Sequence, residues 1–478
     1  MSALTLTLGW VARAVGGRLA SGDPDAVIGP VTTDSRTLQP GDFFVALRGE
    51  RFDAHAFVDD VLARGASGVI VGRPFTGRRA APRKGVPDGL QGAPYGVIEV
   101  GDTLKALQDL AHAVRREAGT KVIAITGSAG KTTTKEAIAE LLSATFRVVK
   151  NKGNLNNHIG LPLSLLQLRE RPDVAVMELG MNHPGEIRTL VAIAEPDVRV
   201  WTNVGDAHLG FFASPDAIAD AKAEILEGAG RGDLLVYNAD DPRVTARVGA
   251  FIGRKLSFGL SERADVRAEA VEDLGVDGTR ARLVTATGSR PIQTPLLGRG
   301  NLSNVLAASA VALDSGVELD EIAARVGRLT PADRRGAVRR LSGGITLIDD
   351  SYNSSPSALR RALDVVARDA SAARKVVVLG EMLELGDHAV RLHEECGRAA
   401  AASGAGLLFA VGGAPARALA RAAVDAGLSA DAVSHFDSSE AAAPAVAAAL
   451  RPGDLVLVKG SRGSRTDTIA DRIAGEHA

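Results

Sequence analysis

One segment constrains the fold of this chain more than any other: Thr126-Gly127-Ser128-Ala129-Gly130-Lys131-Thr132-Thr133. It follows an apolar run at residues 122–125 and precedes residues 138–142, where apolar side chains recur at i, i+3 and i+4. This order predicts a strand, a glycine-rich loop and a helix. Backbone N–H groups of such a loop and the N-terminus of the helix bind phosphate oxygens. We therefore predict a nucleotide site in which Lys131 reaches the terminal phosphates and the Thr132 hydroxyl binds magnesium.

The glycine pattern is shorter than the complete phosphate-loop pattern. A complete pattern has glycine five residues before Gly130, where this chain has Ile125. The alternative interpretation of the short pattern is a glycine-rich turn with a surface lysine. The apolar run before the loop and the helical pattern after it favour nucleotide binding.

The length and composition predict a soluble cytoplasmic protein of two or three domains. The chain has 478 residues, of which 45% are hydrophobic and 24% charged. Its formal net charge of -1 gives no overall attraction to nucleic acid or to an acidic membrane. The one cysteine, Cys396, is typical of a reducing compartment. Neither a leader segment nor a transmembrane run of about eighteen apolar residues is predicted.

Shifts in composition predict three α/β domains, over residues 1–118, 119–330 and 331–478. The first and smallest has short strand-like runs at residues 42–47 and 68–71, separated by helical stretches. It also contains a loop at its C-terminal side that is rich in Pro, Gly, Arg and Lys. We predict that this loop is a solvated, mobile insertion, and it spans residues 73–96.

Apolar runs predict the sheets of the second and third domains. The runs of the second domain are residues 174–177, 198–201 and 234–237, and those of the third are residues 345–348, 376–379, 407–411 and 455–458. Because each run alternates with a helical segment, both domains are predicted to have doubly wound, mostly parallel sheets covered by helices on both faces. The third domain is predicted to be Rossmann-like, and ligands of such folds bind beyond the carboxyl ends of the strands.

Two polar side chains follow consecutive strands of the central sheet. Glu178 ends the run at residues 174–177, and His208 comes shortly after the run at residues 198–201. Each of them alone is more often a solvated loop residue than a ligand. Their common position at strand ends favours a metal-phosphate site, in which the Glu178 carboxylate binds a cation beside the phosphate loop.

Lys222 lies within an apolar helical stripe. Ser214 and Pro215 are typical of an N-cap and the first helical position, and Lys222 follows Ile218 at i+4 on the predicted buried face. On the pattern alone, the better interpretation is that the stem is buried and the ammonium reaches water. The alternative is a lysine whose charge is removed or compensated in a site, since burial lowers the pKa of lysine.

Further motifs extend along most of the chain. They are the segments at residues 33–49, 53–55, 153–160, 178–182, 301–304, 349–356, 380–386 and 458–462, together with His393. With the glycine loop and Lys222, these segments resemble the Mur ligases of peptidoglycan precursor synthesis. Residues 53–55 read Asp-Ala-His where the family usually has Asp-Gly-His, and residues 301–304 match the usual His-Asn pair only in part.

The resemblance implies a role for each matching residue. The first domain would bind the UDP-sugar substrate, and the substrate contacts would be Ser35, Arg36, Asp53, His55, Asn154 and Asn157. ATP would be bound by the glycine loop and by Asn301, Asn304, Arg335, Asp350 and Asn353. Two Mg²⁺ ions would be held by Thr132, Glu178, His208 and Lys222, the last as a carbamate formed with CO2. Lys131, Lys222 and His208 would be the catalytic residues.

The resemblance also implies a reaction. The motifs at residues 349–356, 380–386 and 458–462 are similar to the branch of the family that adds D-Ala-D-Ala to UDP-N-acetylmuramoyl-tripeptide through an acyl phosphate. The implied protein is a monomer whose last domain closes over the nucleotide. The diamino-acid-adding branch usually has an Asp-Asn-Pro-Arg signature, and this sequence has none. Less favoured hypotheses are a folate-polyglutamate-type ligase, a P-loop ATPase switch and an inactive nucleotide-binding protein.

Overall fold

The computed structural model of the chain describes residues 2–49, 52–73, 95–206 and 209–478. Most of the predicted basic loop, residues 74–94, and the predicted metal ligand His208 lie outside these ranges. The strands, in chain order, are β1 (Arg18–Ser21), β2 (Val31–Thr32), β3 (Phe43–Val45), β4 (Gly68–Gly72), β5 (Gly96–Val100), β6 (Lys121–Thr126), β7 (Val148–Lys150), β8 (Val174–Glu178), β9 (Val198–Trp201), β10 (Leu234–Asn238), β11 (Arg254–Gly259), β12 (Val266–Asp273), β13 (Thr279–Thr285), β14 (Gly288–Thr294), β15 (Ala337–Arg340), β16 (Thr346–Asp350), β17 (Arg374–Gly380), β18 (Leu407–Val411), β19 (Val433–Phe436) and β20 (Asp454–Lys459).

Helices connect most of these strands. They are α1 (Leu8–Ala14), α2 (Val58–Ala63), α3 (Thr103–Ala118), α4 (Lys131–Leu142), α5 (Gly160–Leu165), α6 (Glu186–Ala194), α7 (Pro215–Ala223), α8 (Pro242–Thr245), α9 (Gly298–Asp314), α10 (Leu319–Val326), α11 (Pro356–Arg368), α12 (Ala389–Ala402), α13 (Ala414–Asp425), α14 (Ser439–Ala449) and α15 (Asp467–Glu476). Within the described ranges, no helix combines the length and the apolar character that crossing a membrane requires.

The chain divides into two compact units. Unit 1 comprises Met1–Ala124, Phe146–Met181 and Glu186–Asp197, and unit 2 comprises Ile125–Thr145, Asn182–Gly185 and Val198–Ala478. The domain boundaries predicted after residues 118 and 330 stay a prediction.

Unit 1 contains a five-stranded sheet in the order β1-β5-β4-β3-β2. β1 is antiparallel to β5, and the remaining neighbours are parallel. The side chains of Phe44, Val61 and Val69 are fully buried in the core between this sheet and α2. The long helix α3 begins where the Asp102 carboxylate accepts the N–H of Leu104 at 2.8 Å. This side-chain acceptor satisfies a backbone donor that the first helical turn leaves open.

The first sheet of unit 2 carries the candidate site. β9, β10, β11 and β12 are parallel neighbours, and β13 and β14 extend the sheet as antiparallel strands. The apolar runs predicted at residues 198–201 and 234–237 correspond to β9 and β10, which are almost completely buried. The sequence interpretation missed β13 and β14 because their buried and exposed residues alternate and give no apolar run.

The second sheet of unit 2 has the order β15-β16-β20-β17-β18-β19. β15 is antiparallel to β16, and the other neighbours are parallel. Helices α14 and α15 contribute Val446 and Ile473 to the core on one face of the sheet. On α12, Cys396 is buried, and burial raises the pKa of its thiol to about 12. The predicted α/β fold with a second, Rossmann-like sheet is confirmed.

Candidate active site

The glycine-rich segment is the predicted loop between a strand and a helix. β6 ends at Thr126, and α4 begins at Lys131 after Gly130, whose φ of 81° is left-handed. A Cβ atom at Gly127 would lie 1.9 Å from the Thr202 Oγ1 atom, and one at Gly130 would lie 2.3 Å from the Asn304 Oδ1 atom. Both positions therefore require glycine because the backbone approaches its neighbours closely.

Two residues that follow β9 hold the loop in place. The Thr202 hydroxyl and the Asn203 side-chain amide donate hydrogen bonds to the Ala129 carbonyl at 2.9 and 3.0 Å. The Asn203 side-chain oxygen accepts the N–H of Ala129 at 2.9 Å. The Asn203 backbone carbonyl accepts the N–H of Ser128 at 3.0 Å. The sequence interpretation missed Thr202 and Asn203. Their position directly after an apolar strand could have indicated a role in the site, because ligands of such folds bind beyond the carboxyl ends of strands.

The Lys131 ammonium folds back over the loop. Its Nζ atom donates a hydrogen bond to the Gly127 carbonyl at 2.9 Å. The neighbouring Thr132 side chain is buried in the first turn of α4. The structure therefore places both side chains at the helix N-terminus, where a phosphate group would bind.

Lys222 is buried instead of reaching the surface. It lies on α7, which begins where the Ser214 hydroxyl accepts the N–H of Ala217 at 3.1 Å. The residue is 1% exposed, so the interpretation that its ammonium reaches water is wrong. Among the described residues, the ammonium has no hydrogen bond or ion pair. Burial, together with the charge of Lys131, lowers the pKa of Lys222 well below its usual value.

Of the two predicted nucleotide contacts on α9, Asn304 lies beside the phosphate loop. Asn304 donates a hydrogen bond from Nδ2 to the Asn301 Oδ1 atom at 3.1 Å, and Asn301 donates to the Leu297 carbonyl at 3.0 Å. The Asn304 side chain is the one that a Cβ atom at Gly130 would meet. The structure thus brings Asn304 into contact with the loop.

A second group of predicted nucleotide contacts lies around the end of β16. The Asp350 carboxylate accepts a hydrogen bond from the Lys459 ammonium at 2.6 Å, and the same ammonium donates to the Asn353 carbonyl at 3.0 Å. The Arg335 guanidinium lies 4.2 Å from the centre of the Tyr352 ring. Sequence reasoning gave Lys459 no role, and its pairing follows from the register of β16 and β20.

In unit 1, asparagines surround the predicted metal ligand Glu178. The Asn156 side-chain amide donates to the Glu178 Oε1 atom at 2.8 Å. Asn151 accepts the N–H of Glu178 at 3.0 Å and donates to its carbonyl at 3.1 Å. Glu178 is 3% exposed, so these contacts fix a buried carboxylate. Asn157 accepts the N–H of Gly160 at the start of α5, and both Asn154 and Asn157 are exposed.

The predicted substrate contacts near the N-terminus also belong to unit 1. The Asp53 carboxylate accepts from the His55 N–H at 3.0 Å and from its Nδ1 atom at 2.5 Å, and these bonds lower the pKa of Asp53 to about 2. The His55 Nε2 atom accepts the N–H of Gly72 at 2.8 Å. Arg36 forms an ion pair with Asp34 at 2.7 Å, and the Ser35 carbonyl accepts from Arg64.

Three family models match separate parts of this sequence. They describe the Mur ligase family catalytic domain at residues 27–115, the Mur ligase middle domain at residues 125–312 and the Mur ligase glutamate ligase domain at residues 334–462. The UDP-N-acetylmuramoyl-tripeptide–D-alanyl-D-alanine ligase of Bacillus subtilis is 35% identical over 460 residues, which cover 96% of each chain. The chain belongs to the Mur ligase family.

Solved structures agree with this assignment. The MurF structure from Acinetobacter baumannii matches this Mur ligase with a TM-score of 0.87 and 32% identity, over 99% of this chain and 100% of the other. The MurF ligase from Thermotoga maritima, solved in complex with ADP, matches with a TM-score of 0.78 and 29% identity, over 93% of this chain and 97% of the other. The family resemblance and the predicted three-domain α/β fold are thereby confirmed.

The contact of Thr202 with the phosphate loop leads to a prediction. Replacing Thr202 by valine keeps the shape of the side chain but removes the hydroxyl that donates to Ala129. A hydrogen bond of this kind contributes about 0.5–1.5 kcal/mol, so we expect ADP to bind this Mur ligase up to about 10-fold more weakly, as measured by calorimetry. Thr279→Val is the matched control because the buried Thr279 hydroxyl has no hydrogen-bond partner among the described residues. Equal ADP affinity in wild type and Thr202→Val would contradict the role of Thr202.

Proposed function

We propose that this Mur ligase joins D-Ala-D-Ala to UDP-N-acetylmuramoyl-tripeptide and converts ATP to ADP and phosphate. The observation that carries this proposal is the end-to-end similarity to a ligase named for this reaction, with 96% of each chain aligned. The site geometry supports it, since a glycine loop at a helix N-terminus lies in the same unit as a buried lysine. A simple ATPase switch has no need of that lysine.

The reaction has two chemical steps. The terminal carboxylate of the tripeptide attacks the γ-phosphorus of ATP, which gives an acyl phosphate and ADP. The D-Ala-D-Ala amine then attacks the acyl carbon, its proton is lost, and phosphate leaves as the amide bond forms. Transfer of the phosphoryl group requires stabilisation of its charge, which a lysine at the phosphate loop provides.

Each nucleotide contact is proposed from the family pattern and its position. Thr126, Gly127, Ser128, Ala129, Gly130, Lys131, Thr132 and Thr133 would surround the phosphates. The Lys131 ammonium, which contacts the Gly127 carbonyl, would turn to the terminal phosphate. Asn301 and Asn304 would contact the base from α9, and Arg335, Asp350 and Asn353 would contact the nucleotide from the second sheet of unit 2. Lys459 would orient the Asp350 carboxylate.

The chemistry of the donor groups fits magnesium. Lys222 has a buried amine without a partner among the described residues, and its lowered pKa favours the neutral form that reacts with CO2. The resulting carbamate is an anionic oxygen ligand, the type that Mg²⁺ prefers. With Thr132, Glu178 and His208 it would hold the ions, and bound Mg²⁺ would neutralise charge on the transferred phosphoryl group. His, Cys, Asp and Glu side chains alone form no cluster of three in the described ranges.

The remaining assignments are proposals for the rest of the chain. Residues 1–118 would bind the UDP-sugar substrate through Ser35, Arg36, Asp53 and His55. Asn154 and Asn157, which lie in the second domain, would add further contacts to the substrate. Residues 119–330 would bind ATP, and residues 331–478 would complete the site. The limits of the three matching family models support this division. A cytoplasmic location and a monomeric state stay predictions from the sequence.

Phosphate release with different acceptors tests the proposed function. The enzyme would be incubated with ATP, Mg²⁺ and UDP-N-acetylmuramoyl-tripeptide, and D-Ala-D-Ala would be the added acceptor. We expect phosphate release and a pentapeptide product detected by mass spectrometry. In the control, diaminopimelate replaces D-Ala-D-Ala, and the UDP-muramoyl-dipeptide replaces UDP-N-acetylmuramoyl-tripeptide. Turnover only with diaminopimelate would assign the chain to the sister ligase, and hydrolysis without any acceptor would favour the ATPase switch.

A further inference from the structure

Two distant segments of unit 2 contact each other through their backbones. The N–H of Gly210 donates a hydrogen bond to the Glu384 carbonyl at 2.8 Å. A Cβ atom at Gly210 would lie 2.8 Å from the Gly386 nitrogen, and one at Gly386 would lie 2.9 Å from the Gly210 Cα atom. The contact therefore leaves no room for a side chain at either glycine. We call the contact of Gly210 with Glu384 and Gly386 the interlock.

The loop on one side of the interlock is strained and firmly held. Glu384 has a φ of 63°, in the left-handed region that glycine usually occupies. Such a conformation persists only where the surroundings enforce it, and it is frequent at functional sites. The N–H groups that precede it are engaged, since Met382 donates to the His393 Nε2 atom at 2.9 Å and Leu383 donates to the Ser461 Oγ atom at 3.0 Å.

His393 holds this loop as a neutral imidazole. It is fully buried on α12, and its Nδ1 atom lies 2.7 Å from the Ala389 carbonyl. That carbonyl accepts a hydrogen bond from the Nδ1–H group, which leaves Nε2 as the acceptor for the N–H of Met382. Burial lowers the pKa of His393, which agrees with a neutral ring. The imidazole thus connects α12 to the loop that contains Glu384.

The other segment of the interlock contains Gly210. Along the chain, it lies between two elements of the candidate active site. Thr202 and Asn203, which follow β9, hold the phosphate loop. After the interlock, the chain enters α7, on which Lys222 is buried. Gly210 therefore lies on the connection between the phosphate loop contact and the lysine.

We propose that the interlock positions α7, and with it Lys222, relative to the phosphate loop during ligation. His393 is a positioning residue that acts through Met382 and the strained loop. The inference rests on the proposed function because the reaction that it serves is the ligation. It adds a role for Gly210, Glu384, Gly386 and His393, none of which is among the proposed nucleotide contacts.

The first test replaces Gly210 by alanine. The added methyl group would meet Glu384 and Gly386, so we expect the interlock to open and kcat to fall about 100-fold, the effect of a misplacement of about 1 Å. The dissociation constant of ADP should stay near that of wild type, because Thr202 and Asn203 still hold the phosphate loop. Gly249→Ala is the matched control, since its Cβ atom would meet nothing within 4 Å. A folded Gly210→Ala enzyme with wild-type kcat would overturn the proposal.

The second test asks whether His393 acts through the same contact. His393→Leu removes the acceptor of the Met382 N–H and should lower kcat to the level of Gly210→Ala. His393→Gln keeps a side-chain acceptor and should restore part of kcat. The double variant Gly210→Ala/His393→Leu should lose little more than either single variant, because both open one contact. Losses that multiply in the double variant would show two independent effects and refute the coupling.

Amide hydrogen exchange separates the interlock from the proposed function, since it needs no substrate. We expect the amides of α7 to exchange faster in Gly210→Ala and His393→Leu than in wild type, with β10 unchanged. Unchanged exchange in α7 would overturn the positioning role. A wild-type enzyme that fails to ligate D-Ala-D-Ala would instead refute the proposed function. The hydrogen-exchange result would still decide whether the interlock positions α7.

Discussion

Replacing Lys222 by alanine is expected to lower ligation by about 10³-fold, the upper range for loss of one preorganised charge in an active site. The proposed carbamate disappears with the amine, and with it an anionic magnesium ligand. A short-chain carboxylic acid such as acetate should restore part of the activity, because it supplies a carboxylate in the space that the side chain leaves. Phosphate release with D-Ala-D-Ala as acceptor measures both effects.

A structural role for Lys222 predicts a different outcome. If the lysine only fills space, Lys222→Met should keep wild-type turnover, since methionine has a similar length and no charge. We expect this variant to be inactive yet at least as stable as wild type in thermal unfolding, because it removes a buried polar amine that has no partner among the described residues. Full activity in Lys222→Ala or Lys222→Met would rule out the carbamate.

Replacing Lys131 by alanine is expected to lower ATP-dependent turnover on the order of 10³-fold. The ammonium is placed at the phosphate loop, where its charge would stabilise the transferring phosphoryl group. Phosphate release and product formation should fall together. Acetate should not restore this variant, because the missing group is a cation.

Lys105→Ala provides the control for the loss of a lysine. Lys105 lies on the exposed side of α3 and forms an ion pair with Asp109, one helical turn away. Its replacement should leave turnover within about twofold of wild type, since exposed pairs of this kind contribute little to stability. Normal turnover in Lys131→Ala would refute the assignment of the phosphate loop.

The sequence predicted the parts of the site that depend on local order along the chain. A strand, a glycine loop and a helix are consecutive, so their geometry follows from residue types at fixed spacing, as Gly127 and Gly130 show. The N-cap at Ser214 is predictable for the same reason, and the structure confirms it. The buried runs of the parallel sheets were equally visible, because strands covered on both faces are apolar throughout.

Contacts between segments that are distant in the sequence could not be predicted from residue patterns. Thr202 and Asn203 are ordinary polar residues until the fold brings them to Ala129. The prediction that the Lys222 ammonium reaches water is wrong because a helical stripe shows which face of a helix is buried, but not how deeply its side chains are buried. The chain continues from α7 into a turn at Glu224–Leu226 whose residues are also buried, so the buried part of the chain extends beyond Lys222.

The buried thiol on α12 has a practical consequence for studies of motion in this enzyme. Cys396 is the one cysteine of the chain, and a thiol with a pKa of about 12 has almost no reactive thiolate at neutral pH. Maleimide dyes would therefore attach to newly introduced surface cysteines while the native residue stays in place. Pairs of such dyes would report distances between chosen positions during turnover, in a protein whose own packing is unaltered.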